Sequence, residues 1–249
     1  MKNMLMGCVV ACGLAVSVAP SALASTLIVP CALTGTYNAA GGYSNTPGFQ
    51  NYRVGLSPIT TTPEHRNFFN FDLTSYAPLP PMSVASAKLK LYLPKFAPPD
   101  LLDPGMGYIS PDMSEHYVVT STPYSTAALG AAHTTAEAMA IFATLGTGIP
   151  VGDIVVTPMD MGSILEIDMS PMTLGYLNAT MGVGTVAFGG RIESFDGTHI
   201  DELLFAFTDL WMPHMLGKEP VLEITLVPGA GGVLSLMGVG VVVGVRRRR

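Results

Sequence analysis

Short alternating runs of apolar and polar residues, separated by turn-forming residues, make up most of the chain between residues 66 and 226. In one of them, Phe69, Phe71 and Leu73 alternate with Asn70 and Asp72. Such a run places one set of side chains on a core and the other set in solvent, as in a β-strand. Comparable runs lie at residues 87–93, 164–168, 183–192, 203–208 and 221–226. The pattern predicts antiparallel strands, each with a buried face and a solvent face.

Two short helices are predicted between these strands. Ser170 and Pro171 supply an N-cap and a first-turn proline for a helix over residues 172–181. Thr134 and Glu137 have the spacing of a capping box at the start of another helix, which would end at Leu145. Both helices would cross over the β framework rather than form a layer of their own.

Glycine and proline mark the irregular parts of this framework. Gly189 and Gly190 interrupt one strand run, which indicates either a β-bulge or a close approach of another part of the chain. Prolines gather between residues 78 and 111, where they end regular structure. Several short strands with turn signals and few helices predict an all-β fold, an antiparallel β-sandwich or jelly roll with one or two short crossover helices.

The first 24 residues have the organisation of a secretory signal peptide. Lys2 precedes an apolar stretch over residues 4–19, and Ala22 and Ala24 form a small-x-small cleavage site before Ser25. The pattern predicts an N-terminal signal helix over residues 1–24 that signal peptidase removes. The mature domain would then occupy residues 25–226, exported across the inner membrane.

A second segment of this kind ends the chain at residues 227–249. Residues 229–245 carry no charge and are just long enough to form a transmembrane helix. A basic cluster follows, which would stay on the cytoplasmic side of the membrane; its members are Arg246, Arg247, Arg248 and Arg249. The hydropathy alone fits a permanent anchor that holds the domain outside the cell.

The order of these parts adds a resemblance to a known sorting signal. A short motif, Val227-Pro228-Gly229, precedes the apolar stretch and the basic cluster. This order resembles the PEP-CTERM signal of secreted bacterial proteins, although Gly229-Ala230 stands where that motif usually has a glutamate and a second proline. The resemblance implies that an exosortase-type enzyme in the inner membrane cuts near Pro228. The domain would then be released or attached at the cell surface.

The two end segments conceal the charge of the domain between them. The whole chain has a net charge of −6, but Lys2 and the four terminal arginines belong to the ends. The remainder holds seven basic and eighteen acidic residues, a net charge of −11. Nucleic-acid binding requires a basic footprint, so we expect no nucleic-acid partner.

Cys8 and Cys12 leave with the signal, so Cys31 has no partner for a disulfide within one chain. It is either a buried thiol or one that pairs between chains.

A stretch in the middle resembles a second family. Residues 71–73 read FDL, and residues 84–92 read VASAKLKLY. This arrangement resembles the DNRLRE-type domain of secreted bacterial and archaeal proteins, over residues of about 55–227. The resemblance implies a β-sandwich without catalytic residues of its own, and a role in adhesion, scaffolding or contact with glycans.

No pattern of catalytic residues stands out, and we expect no enzymatic activity. The five histidines are dispersed along the chain, as solvated loop residues would be. The best candidate for a ligand site consists of Asp196, Asp201 and Glu202, around the turn former Asp196-Gly197. Calcium prefers several carboxylate oxygens on flexible loops, so these residues could hold a structural Ca²⁺ ion. A solvated hairpin loop would have the same composition, and no other cofactor is indicated.

Exposed aromatic rings could stack on sugars, because the face of a sugar ring is apolar. The candidate platforms are Tyr37, Tyr43, Tyr52, Tyr108, Tyr117, Tyr124 and Trp211. The sequence therefore predicts a secreted, non-enzymatic structural protein of the cell surface, the extracellular matrix or a biofilm. A module that binds extracellular polysaccharide through these aromatics is the alternative. A polysaccharide hydrolase with paired carboxylates is a second alternative.

Overall fold

A computed structural model describes residues 24–45, 49–56, 63–77, 82–95, 107–195, 202–205, 207–209 and 218–228. The strands are β1 (Ser25–Asn38), β2 (Tyr43–Ser44), β3 (Phe49–Asn51), β4 (Val54–Gly55), β5 (His65–Asp72), β6 (Met82–Tyr92), β7 (Tyr108–Ile109), β8 (Glu115–Ser121), β9 (Pro150–Val156), β10 (Ile164–Asp168), β11 (Thr185–Ile192), β12 (Leu203–Leu204), β13 (Phe207–Asp209) and β14 (Val221–Pro228). The helices are α1 (Thr126–Leu129), α2 (Thr135–Leu145) and α3 (Pro171–Thr180), with a 3₁₀ turn at Pro158–Asp160.

The long strand β1 joins two antiparallel sheets. Its first residues pair with β14, and its later residues pair with β5, with a shift of register between Cys31 and Leu33. The main path of strands runs β10-β6-β14-β1-β5-β11-β8-β9. We call β10, β6, β14 and the start of β1 the first sheet. The end of β1 with β5, β11, β8 and β9 is the second sheet. The prediction of an all-β antiparallel fold with few helices is confirmed.

The main hydrophobic core draws side chains from both sheets. Leu89 and Ile224 of the first sheet belong to the same buried cluster as Phe71, Val119 and Phe188 of the second sheet. Burial of apolar surface is the main favourable term in folding, and large aromatic side chains contribute most per residue. The core therefore holds the two sheets together as one unit.

The first sheet follows the predicted alternation of buried and exposed side chains. Leu89 and Leu91 are fully buried, while Lys88 and Lys90 point outward. Lys90 bridges Glu166 of β10 at 3.0 Å and Glu223 of β14 at 2.8 Å, and Lys88 contacts Glu166 at 2.7 Å. This row of opposite charges follows three neighbouring strands. It gives the outer face favourable cross-strand pairs.

The second sheet does not follow the predicted alternation. Asn70, expected on a solvent face, is fully buried. The reason is that α1 and α2, which lie in the connection between β8 and β9, cover the outer face of this sheet. Leu129 and Ile141 of these helices pack there in a second hydrophobic cluster. A sheet covered on both faces buries nearly every residue of its inner strands.

Both predicted helices are present with their predicted caps. The Thr134 hydroxyl accepts the Glu137 N–H, and the Glu137 carboxylate accepts the Thr134 N–H at 2.8 Å. Ser170 caps α3, which begins at Pro171. The short helix α1 was not predicted from the sequence. It is a single turn, capped by Ser125, whose side chain accepts the Ala128 N–H at 3.2 Å.

The glycine pair of β11 allows a close approach and not a bulge. Pairing of β11 with β5 and β8 is continuous through Gly189 and Gly190. A side chain at Gly189 would collide with the backbone of Leu145, at the end of α2. A side chain at Gly190 would overlap the hydroxyl of Tyr117. The two glycines therefore let α2 lie on one face of β11 and Tyr117 on the other.

The run at residues 203–208 forms two strands and not one. β12 pairs with β4 and β7, whereas β13 pairs only with β3 among the described strands. Phe205, directly after β12, has a positive φ of 62°, in the left-handed region. Its ring is buried against Tyr52 and Tyr117.

The predicted signal helix lies outside the described residues apart from its last residue, Ala24. The predicted C-terminal transmembrane helix lies outside them as well, and of the C-terminal segment only Val227 and Pro228 are described. Within the described part of the chain, no helix combines the length and apolar composition that a membrane span needs. Strand β14 extends through Val227 to Pro228, so two residues of the predicted sorting motif belong to the folded domain.

Candidate functional site

Both ends of the described domain lie together at one end of the sheets. Ser25, the first residue of β1, pairs with Leu226 of β14. The next residues of β14, Val227 and Pro228, pair with Ser83 and Met82 at the start of β6. The two points where processing was predicted are therefore neighbours in space, although about 200 residues separate them along the chain.

Helix α3 covers the same end of the domain. Its Asn178 side chain accepts the N–H of Val84 at 2.8 Å, and Val84 in turn pairs with Leu226. Leu177 is fully buried and packs into the main core. Gly182, just after the helix, donates its N–H to the carbonyl of Leu73 at 2.9 Å. We call this region the α3 end. It consists of helix α3, the loops after β5, β8 and α3, and the outer ends of β1 and β14.

A pocket of about 490 Å³ opens beside α3. Nearly all of its lining is apolar, and the residues around it come from the end of β8, the start of β9, α3 and β11. Met172 and Tyr176, one helical turn apart, form the α3 side. Ile149 also lines the pocket, and its N–H donates to the Ser121 hydroxyl at 3.1 Å. The pocket has the size of a small-molecule site but only hydroxyl groups as polar side chains.

Three exposed apolar side chains line this pocket, and a fourth lies in the loop after α3. Met172 is 68% exposed, Tyr176 51% and Ile149 56%. Val183, in the loop after α3, is 75% exposed. Single exposed apolar residues are ordinary, whereas a contiguous group of them is typical of interaction surfaces.

The proposed calcium ligands are only partly described. Asp196 and Asp201 lie outside the described residues. Glu202 is 1% exposed and precedes β12, at the end of the domain opposite to α3. Burial of the Tyr108 hydroxyl is the main reason that its pKa is raised to about 12, and the negative charges of Glu115, Asp112 and Glu202 contribute to the rise. The carboxylates of Glu115 and Glu202 therefore share one buried region.

Glu115 is held by hydroxyl groups in that region. Its Oε1 accepts a hydrogen bond from Ser110 at 2.5 Å, and its Oε2 accepts one from Ser194. In the part of the chain that the structure describes, no three His, Cys, Asp or Glu side chains group as metal ligands. The calcium site of Asp196, Asp201 and Glu202 remains a prediction, since two of its three residues lie outside the described part of the chain.

Most of the predicted aromatic platforms are not on the surface. Contrary to the expectation from sequence, four tyrosines are buried as parts of the cores; these are Tyr37, Tyr52, Tyr108 and Tyr117. Their hydroxyls find partners inside the domain, such as the Tyr92 carbonyl, 2.7 Å from the Tyr52 hydroxyl. Tyr43 is exposed but stacks on Tyr37, with ring centroids 5.6 Å apart. Tyr124 is half-buried, and Trp211 lies outside the described residues.

The described histidines occupy three different environments and do not meet. His65 is buried, and its Nδ1 lies 2.8 Å from the Thr36 hydroxyl. His116 lies between Asp153 and Glu193 on the outer surface of the second sheet, at 2.9 and 3.1 Å. His133 packs against the rings of Tyr37 and Tyr43. Cys31 is a buried free thiol, in agreement with the first of its two predicted roles.

Sequence reasoning did not find the pocket or Tyr176. A signal was present, because α3 contains no charged residue, whereas a surface helix ordinarily has a polar face.

No family model matches the chain, and no curated protein matches it.

Proposed function

We propose that the chain is an exported β-sandwich protein with a non-enzymatic, structural role at the cell surface or in the extracellular matrix. The pairing of Ser25 with Leu226 carries this proposal. Because of this pairing, the segments before and after the domain leave from the same end. Every described strand lies between residues 25 and 228. Removal of both segments would leave the sheets and both cores intact.

The charge of the domain is in keeping with this role. Its net charge of −11 favours solubility and keeps copies apart outside the cell. Two sheets around a main core are in keeping with the DNRLRE-like sandwich that residues of about 55–227 resemble. The tail resembles a PEP-CTERM signal, so processing would involve signal peptidase at Ala24-Ser25 and an exosortase-type enzyme near Pro228.

A chain that ends at Pro228 tests this proposal. We expect the full chain to be found in the membrane fraction of the source bacterium as a precursor and at the surface as a shorter product. The chain ending at Pro228 should go directly to the medium with an unchanged melting temperature, because β14 is complete. Retention of the shortened chain in the membrane, in the same amount as the full chain, would contradict the proposal.

A chain that ends at Ile224 is the matched control. It lacks Leu226, which is 4% exposed and belongs to the main core, together with the pairs that join β14 to the start of β6. We expect this chain to be unstable and degraded. The comparison separates the effect of losing the tail from the effect of damaging the domain.

A further inference from the structure

The chain leaves the folded domain without a spacer before its apolar segment. Pro228 is still paired with Met82 of β6, and the uncharged run begins at Gly229. When residues 229–245 are in a bilayer, the α3 end is therefore held at the membrane surface. The predicted signal segment ends at Ala24, next to Ser25, and leads away from the same end.

The α3 end contains almost no charge, although the domain as a whole is acidic. No Asp, Glu, Lys or Arg occurs in residues 25–27, 73–77, 82–86, 121–131, 147–151, 169–185 or 224–228. Asp72 and Asp168 close β5 and β10 at its margin. An anionic membrane surface repels negative charge, so this end can approach the bilayer more easily than the rest of the domain.

Apolar side chains stand outward in the same region. Met172, Tyr176, Val183 and Ile149 are each more than half exposed, and all but Val183 line the pocket. Tyrosine is favoured at the membrane interface, because its ring enters the apolar layer while its hydroxyl stays in water. The flexible side chain of methionine adapts to irregular apolar surfaces.

We propose that the α3 end is a membrane-contact surface, on which Ile149, Met172, Tyr176 and Val183 lie against the outer surface of the bilayer before the tail is removed. This inference rests on the proposed function, since it requires residues 229–245 to be in the membrane. The contact keeps Val227-Pro228 at the membrane surface, where a membrane-embedded processing enzyme acts.

Lipid-borne quenchers test the contact in the full chain. Cys8 and Cys12 are replaced by alanine, and a single fluorophore is attached after Met172→Cys or, as the control, Met113→Cys. Both methionines are exposed, at 68% and 89%, but Met113 precedes β8 at the opposite end of the domain. The labelled chains are reconstituted in vesicles of phosphatidylcholine and phosphatidylglycerol that contain a nitroxide-labelled lipid.

We expect the label at residue 172 to be quenched at least about threefold more than the label at residue 113. A label placed by Val183→Cys, at a second position of the α3 end, should behave as the one at residue 172. Equal quenching at residues 172 and 113 in a chain that is inserted in the vesicles would overturn the contact and leave the membrane tail standing.

Two other outcomes would also decide against the proposal. If the full chain does not associate with vesicles at all, the membrane insertion of the tail fails, and the contact fails with it. If the labels at residue 172 quench one another and are shielded from the lipid quencher, the surface is covered by a second copy of the chain. That result would overturn the membrane contact.

Discussion

Ser25 and Leu226 are cross-strand partners at one end of the domain. One is the first residue after the predicted signal, and the other stands two residues before the last described residue, Pro228. Their pairing lies at the end of the first sheet where the chain enters and leaves the domain. A domain built in this way can lose both outer segments without losing a strand, which is the physical basis of the proposed export and processing.

The close packing at Gly190 gives a first prediction. In Gly190→Ala the new methyl group would overlap the Tyr117 hydroxyl and the Asn67 side chain, both of which are buried. We expect the free energy of unfolding to fall by about 2 kcal/mol or more, as for other overpacked cores. Urea denaturation measures this change.

Gly175 of α3 is the matched control. A side chain there would meet nothing within 4 Å. Because alanine is the better helix former, Gly175→Ala should raise the free energy of unfolding by about 0.5–1 kcal/mol. Equal effects of the two substitutions would show that Gly190 has no packing role.

The unpaired amide of Asn70 gives a second prediction. Neither its Nδ2 nor its Oδ1 has a hydrogen-bond partner, and the side chain is fully buried. A buried polar group without a partner costs about 1–3 kcal/mol, so Asn70→Leu should raise the free energy of unfolding by about 1 kcal/mol. The same urea titration measures it.

Asn67, on the same strand, provides the contrast. It donates to the Tyr52 carbonyl at 2.7 Å and accepts from the Tyr117 hydroxyl at 2.8 Å. Asn67→Leu would leave both partners without a hydrogen bond and should lower the free energy of unfolding by about 2 kcal/mol. A loss of stability in Asn70→Leu as large as in Asn67→Leu would contradict the assignment of Asn70 as unpaired.

The buried His65 gives a prediction on pH. Burial, and to a smaller extent the positive charge of Arg53, together lower the pKa of His65 to about 3. In the unfolded chain a histidine takes up its proton near pH 6.5. As the pH falls from about 6.5 towards 3, the unfolded chain therefore gains a proton that the folded chain does not bind.

The contribution of His65 to the free energy of unfolding is therefore fully present above pH 6.5 and is lost as the pH falls. The expected loss is up to about 1.4 kcal/mol per pH unit between pH 6 and pH 4. His65→Gln removes this contribution, so its free energy of unfolding should vary less steeply over that range. Parallel curves for the two proteins would show that His65 is protonated in the folded state.

The buried Cys31 gives a fourth prediction. Its thiol donates to the carbonyls of Leu33 and Asn70, at 3.2 and 3.3 Å, and burial raises its pKa to about 12. Only the thiolate reacts with disulfide reagents. At pH 8 the folded domain, residues 25–228, should react at least about 100-fold more slowly than the unfolded chain. A disulfide-linked dimer of the native domain would contradict this prediction.

The first sheet and both capped helices could be predicted because their signals are local. Lys88 and Leu89 alternate towards solvent and core, and Ser170 with Pro171 begins a helix wherever that helix is placed. The burial of Asn70 could not be predicted in this way. It depends on α2 covering the outer face of the second sheet, which is a contact between parts of the chain that are distant in sequence.

The α3 end shows the same limit. The absence of charge in residues 169–185 is visible in the sequence, but its meaning depends on which other segments lie beside it. Only the register of β14 with β1 and β6 brings Ser25, Pro228 and α3 to one place.

Mass spectrometry of the surface form of the protein, isolated from its source organism, tests the central claim most directly. Export with processing at both ends predicts an N-terminus at Ser25, a C-terminus at or just after Pro228, and no peptide from residues 230–249. A surface form that retains Arg249 would contradict removal of the tail and would identify the segment as a permanent anchor.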